Sequence, residues 1–114
     1  KFQMIQQMLA DSAIEINSTR LALLQTAWEA DHDRDVSARI SMIKVQAAET
    51  LCRVADRAVQ IYGGLGYCRD LPIERYYRDA RIYRIYDGTS EIHRTIIARS
   101  ISKENKNLYN LNLT

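Results

Sequence analysis

The sequence is poor in chain breakers. Its 114 residues hold one proline and four glycines, and all of them, Gly63, Gly64, Gly66, Pro72 and Gly88, fall between positions 63 and 88. Tight β-hairpins draw on glycine for positive φ and on proline for φ-locked corners, so a first half lacking both is not a run of hairpins. It reads as helix. Cysteine is scarce too: Cys52 and Cys68 stand in different local contexts and nothing requires them to pair, so a reducing, intracellular setting is expected. The longest aliphatic run is Leu21 to Leu24, far short of the roughly 20 apolar residues of a membrane span. No charge of one sign dominates, since sixteen Lys and Arg against fourteen Asp and Glu leave +2. That balance calls for no nucleic acid or other polyanion. An initiating Met and a signal peptide are also missing, and Lys1-Phe2 already sits in a helical pattern, so the chain is expected to be cut from something longer.

What is present is a globular composition, 46% hydrophobic. A single small domain of this length buries roughly two-thirds of its unfolded surface, enough for a core without disulfides. Apolar or small residues recur in steps of three and four at Phe2, Ile5, Leu9, Ala13, Ile16, Leu23, Leu24, Ala27 and Trp28, predicting a first helix that ends near Asp31. After the polar segment Asp31 to Asp35, in which Asp33 or Asp35 can accept the free N–H groups of a helix start, a second stripe begins. It runs through Val36, Ile40, Ile43, Ala47, Leu51, Val54, Ala58 and Ile61, predicting a helix from about Asp35 to Tyr62. Both helices would be roughly 40 Å long, and so short a connection makes them antiparallel neighbours. Gly63-Gly64-Leu65-Gly66 stops the second helix. A short helix restarts at Pro72 with Glu74 in its first turn, Asp87-Gly88 breaks the stretch that follows, and a last helix spans about Thr89 to Ser102. Residues 105–114 are an Asn-rich tail, expected to fray. The fold class is all-α.

Several clusters have chemical potential. Asp31, Asp33 and Asp35 imitate the first ligands of a calcium loop, but Val36 and Met42 stand where that loop needs Gly and Glu, so the segment reads as a solvated turn and no metal site is expected. Gly64-Leu65-Gly66 opens a partial dinucleotide fingerprint, yet it follows a helix and lacks the third glycine, which argues against a Rossmann site. A glycine-rich turn whose N–H groups line a phosphate or nucleotide, with Gln60 one turn earlier, stands beside a plain helix cap. His32 and His93 have no second imidazole or cysteine at ligand spacing and read as surface or packing residues. No Ser or Cys is tied by spacing to a His and an acid, so a hydrolase triad is unsupported. Arginines 69, 75, 78, 81, 84, 94 and 99 alternate with five acids, a pattern of salt-bridged structure. Tyr86 to Ile92 is the densest polar cluster. It is either a turn and helix start capped by Asp87 or Thr89, or a carboxylate held at a bend as a general base beside free N–H groups. Spacing leaves both open.

Three ordered stretches, Gln60 to Tyr67, Arg78 to Ile82 and Ile85 to Arg94, closely resemble the acyl-CoA dehydrogenase family, and Phe2 to Glu29 is similar to the helix that precedes them. The resemblance covers residues 2 to about 103. It implies the C-terminal antiparallel four-helix bundle, residues 1–104 here, of an FAD flavoenzyme whose N-terminal helical and middle β-domains are not in this sequence. It further implies α,β-dehydrogenation of an acyl-CoA thioester, a dimer or tetramer built through the bundle, and an electron-transferring flavoprotein as electron acceptor. Gln3, Gln60, Ile61, Tyr62, Gly63 and Gly64 fall on contacts to the adenosine and pyrophosphate part of FAD on a neighbouring subunit. Thr89, Ser90 and Glu91 fall on contacts to FAD near the domain's own active site, Gly88 on a substrate contact, and Asp87 on the catalytic base. Many members carry Glu at that position, and some carry the base on an earlier helix. The compartment implied is cytoplasm in a bacterium and mitochondrial matrix in a eukaryote. A non-catalytic assembly module and an acyl-CoA oxidase-like enzyme are the alternatives.

Overall fold

In the computed structural model, which describes residues 2–104, the breaker-free half forms two long helices, α1 (Gln3–Asp31) and α2 (Ser37–Tyr62). In the turn between them Asp33 has φ +56°, and the Asp35 carboxylate accepts the Ser37 N–H at 3.0 Å and its hydroxyl at 2.6 Å, steering the chain into α2. Gly63 ends α2 at φ +59° and ψ −139°, a corner almost reserved for glycine. The glycine run does not stay irregular, however. It makes one further helical turn, α3 (Gly64–Tyr67), in which a Cβ on Gly66 would come within 2.8 Å of the Tyr62 Cβ and 2.9 Å of the Val59 carbonyl oxygen. Pro72 leads into α4 (Ile73–Ile82), and α5 (Ser90–Glu104) closes the described chain. The tail expected to fray over 105–114 lies outside the described residues.

Among the described residues α2 is the hub, packing against α1, α3, α4 and α5, whereas α1 touches α2 alone. The closest approaches use small side chains. Ser41, Ala48, Thr50 and Ala55 are buried on α2 and Ala80 on α4, where the Cys52 thiol donates to the Ala80 carbonyl at 3.3 Å. The antiparallel register of α1 and α2 is read from its polar pairs: Ser12 with Arg57, Glu15 with Arg53 and Arg57, Thr19 with Thr50, and Glu29 with Arg39.

The apolar stripe of α1 corrects the expectation drawn from its periodicity. Phe2, Leu9, Ile16, Leu23 and Leu24 are all at least half exposed. The covered face is instead Ile5, Met8, Ser12, Glu15, Thr19, Ala22, Thr26 and Glu29, a regular three-four alternation that is mostly polar. Its hydroxyls bond back to carbonyls of their own helix, and its carboxylates meet arginines of α2, so the seam satisfies its polar groups with little apolar burial. The core expected for this length is correspondingly thin. Its buried hydrophobic residues are Ala48, Ala55 and Ala80.

Candidate functional site

The polar cluster singled out in the sequence is the turn from α4 into α5. Tyr83, Arg84, Ile85 and Tyr86 wind tightly, each N–H reaching back to a carbonyl between Ala80 and Ile82. Asp87 then takes φ +53° and Gly88 φ +90°. Aspartate is among the few non-glycine residues that enter this left-handed region readily. Its shorter side chain therefore suits the bend. The Thr89 hydroxyl accepts the Ile92 N–H at 3.2 Å, so of the two capping candidates Thr89 caps α5. Glu91, in the first turn, has its carboxyl held below the usual range by its own N–H, with the Thr89 hydroxyl, Arg94 and Arg84 adding to this against the opposing effect of burial. Tyr86 is pushed up by burial, then by the Tyr83 hydroxyl and the Asp87 charge.

This turn is fastened to α2 at three points. The Lys44 ammonium donates to the carbonyls of Tyr83, Tyr86 (3.0 Å) and Gly88 (3.1 Å), and it lies 5.7 Å from the Tyr86 ring centre. The His93 ring sits between the Ser41 hydroxyl and the Asp87 carbonyl, at 3.1 Å from each, so its Nε2 carries the proton given to Asp87 O and its Nδ1 accepts from Ser41. Glu49 receives Arg84 at 3.1 Å and Arg94 at 3.7 Å. The Asp87 side chain is left exposed, and among the described residues its N–H has no partner. Ser90 is the opposite case: it is 1% exposed, its hydroxyl has no partner, and its N–H donates to the Arg84 carbonyl at 3.1 Å. It faces inward, unlike Thr89 and Glu91.

The other predicted residues gather at the far end of α2. Gln60, Tyr62, Gly63 and Gly64 are exposed and Ile61 is half-buried. A Cβ added to Gly63 or Gly64 would meet nothing within 4 Å, so the backbone there is bare to the outside. Following the register of the polar seam towards the start of α1 brings Gln3 to this same end. Nineteen residue steps along α2 separate Lys44 from Gly63, roughly 28 Å. The structure thus brings the predicted residues together as two clusters, not one. Lys44, Ser41 and Glu49 carried no sequence signal for their role, because their partners lie 35 to 52 positions away.

Comparisons with known proteins place the chain in a family. The family model described as acyl-CoA dehydrogenase, C-terminal domain, matches residues 1–102. The chain is 45% identical over 100 residues to the (R)-benzylsuccinyl-CoA dehydrogenase of Thauera aromatica, covering 87% of this chain and 25% of that protein. It is 45% identical over 98 residues to the mitochondrial short-chain specific acyl-CoA dehydrogenase of Rattus norvegicus, covering 86% and 24%. The solved FAD complex of PigA superposes at a TM-score of 0.86 with 29% identity, over 89% of this chain and 26% of that one. The chain spans about a quarter of the length of these relatives. A bare glycine corner at one end of the hub helix, a pinned carboxylate turn at the other and a family match over nearly every described residue lead to one assignment: the chain belongs to the acyl-CoA dehydrogenase family, as its C-terminal helical domain.

Proposed function

We propose that this chain supplies the catalytic base of an FAD-dependent acyl-CoA dehydrogenase, which converts an acyl-CoA thioester to the trans-2-enoyl-CoA. The observation that carries this reading is the Asp87 turn, an exposed carboxylate on a bend fastened to α2, with an unpartnered N–H on the same residue. The carboxylate takes the α-proton. The Asp87 N–H donates to the thioester carbonyl, where negative charge gathers as that proton leaves. Gly88 beside it would contact the acyl group through its backbone, the space of a Cβ there being taken by the His93 ring.

The residues present fit a flavin nucleotide. The open backbone of Gly63 and Gly64, with Gln3, Gln60, Ile61 and Tyr62 around it, would hold the adenosine and pyrophosphate part. Thr89 and Glu91 would contact the flavin beside the Asp87 turn, and Ser90 through its backbone only. When bound, FAD supplies the acceptor for the hydride leaving the β-carbon. That the two clusters lie at opposite ends of α2 supports their serving two active sites of a homo-oligomer, a dimer or tetramer. The exposed apolar side of α1 is the surface a second copy covers. Electrons pass on to an electron-transferring flavoprotein, and the compartment is cytoplasm or mitochondrial matrix. Among the described residues no helix is long and apolar enough to cross a membrane.

The test is Asp87→Asn in the complete dehydrogenase polypeptide carrying this chain. Flavin stays bound, while exchange of the substrate α-proton with solvent deuterium falls by about 10³-fold or more. Exchange near the parental rate removes Asp87 from the role.

A further inference from the structure

The Asp87 turn poses a problem that its own residues do not solve. Two consecutive residues with positive φ follow a tightly wound segment, and the carbonyls of Tyr83, Tyr86 and Gly88 point at one spot. Oxygens gathered in this way repel one another unless a donor stands between them. An ammonium is the side chain suited to that place, being a compact cation with three N–H donors and no acceptor. Lys44 supplies it from α2, 39 to 44 positions earlier in the chain.

We propose that Lys44 is the positioning residue of the Asp87 turn, its ammonium drawing three carbonyls to one point of α2 so that the carboxylate is held at a fixed reach from the substrate. This rests on the reading of Asp87 as the base. Lys44 touches neither Asp87's carboxylate nor any reacting atom; it acts through the backbone. Tyr86 O belongs to the peptide unit just before Asp87 and Gly88 O to the unit after the next Cα, so releasing them loosens the backbone on both sides of the base. His93 steadies the intervening Asp87 carbonyl, and Glu49 holds Arg84, but neither reaches the carbonyls that bracket the base. A shift of about 1 Å at a reacting group costs about 10²-fold in rate.

The experiment is Lys44→Met, with Lys44→Arg beside it, in the complete flavin-loaded enzyme. The Lys44 stem borders a cavity of about 400 Å³ between α1 and α2 walled by Leu23, Ala27, Val36, Ile40 and Ile43, so a methionine is accommodated and the variant keeps its fold. Lys44→Met is expected to lower kcat by roughly 10- to 100-fold, with KM and flavin per subunit within about twofold, and to speed backbone hydrogen exchange over residues 83–93 alone. Lys44→Arg keeps the charge but spreads its donors in a plane, so it recovers part of the loss. An unchanged kcat with unchanged exchange overturns the proposal, and so does a fall in activity that tracks flavin loss. If Asp87→Asn stays active, the base reading fails. Faster exchange over 83–93 in Lys44→Met then still identifies Lys44 as the clamp of this turn, and its absence still overturns that.

Discussion

Gly88→Ala tests whether the Asp87 turn depends on the space that glycine leaves. The backbone there has φ +90°, and a Cβ would lie 2.7 Å from His93 Nε2, 3.2 Å from Cδ2 and 3.5 Å from Cε1. Two costs follow. Positive φ on a residue with a Cβ costs about 1–2 kcal/mol, and moving the imidazole breaks its hydrogen bonds to Ser41 and to Asp87 O, about 0.5–1.5 kcal/mol each. The total is about 2–5 kcal/mol. Gly63→Ala is the control, because its φ of +59° brings similar strain but its Cβ meets nothing within 4 Å. Urea unfolding of the chain, followed by its helical signal, measures both. The decisive comparison is the double-mutant cycle with His93→Ala, which removes the ring and leaves only the strain. Gly88→Ala should then cost about 1–3 kcal/mol less than in the parent, while Gly63→Ala costs the same in both backgrounds. Zero coupling between positions 88 and 93 refutes the claim that the glycine exists to admit the histidine.

Two further outcomes concern the seam of α1 and α2. Glu15 has its carboxyl lowered first by the hydrogen bond from Arg57, with Arg53 adding to it, so its folded-state pKa lies below its unfolded one. Its contribution is therefore complete above the ordinary glutamate range, about 4.3, and is lost as pH falls through the lowered folded value. Parent and Glu15→Gln should differ by about 1 kcal/mol at pH 7 and converge in acid urea titrations; a gap that widens in acid contradicts the pairing. Arg39→Met removes the ion-pair partner of the Glu29 carboxylate, whose side chain is 6% exposed and 2.7 Å from Arg39 Nε, and leaves the charge on the neutral Gln25 amide, which donates to it at 2.8 Å. A loss of about 3–5 kcal/mol is expected, mostly recovered by adding Glu29→Gln, and equal losses in the single and double variants would show that the buried charge is not the cause.

The helices were legible because breakers and periodicity are local. Gly63 ends α2 at the predicted residue, and Pro72 opens α4 where a φ-locked residue fits. Legibility failed where long-range contacts decide. The stripe from Phe2 to Trp28 was real as a period, but periodicity reports that a face is apolar, not which neighbour covers it, and α2 takes the polar face instead. The glycine run was legible as a stop yet not as α3, since the Gly66 packing on Tyr62 and Val59 depends on the fold. At the site, Asp87, Gly88 and Thr89 announced a bend. His93 was read as a surface or packing residue, and Lys44 was invisible, because nothing in a sequence shows that an ammonium on one helix meets carbonyls more than 39 positions on.

The polar seam also divides two jobs that most helical pairs perform with one set of side chains. Ion pairs and hydroxyl contacts tell α1 where to sit, being specific in register and modest in strength. The large side chains of α1, which hold most of its capacity for burial, face away from the pair. Alignment within the chain is thus separate from consolidation by whatever adds further burial. With a second copy on this face, as proposed, an acidic substitution at Leu9 or Leu24 should leave the α1–α2 register intact and appear as a concentration-dependent loss of assembly. A change at Glu15 or Glu29 acts on the monomer itself, whatever its concentration.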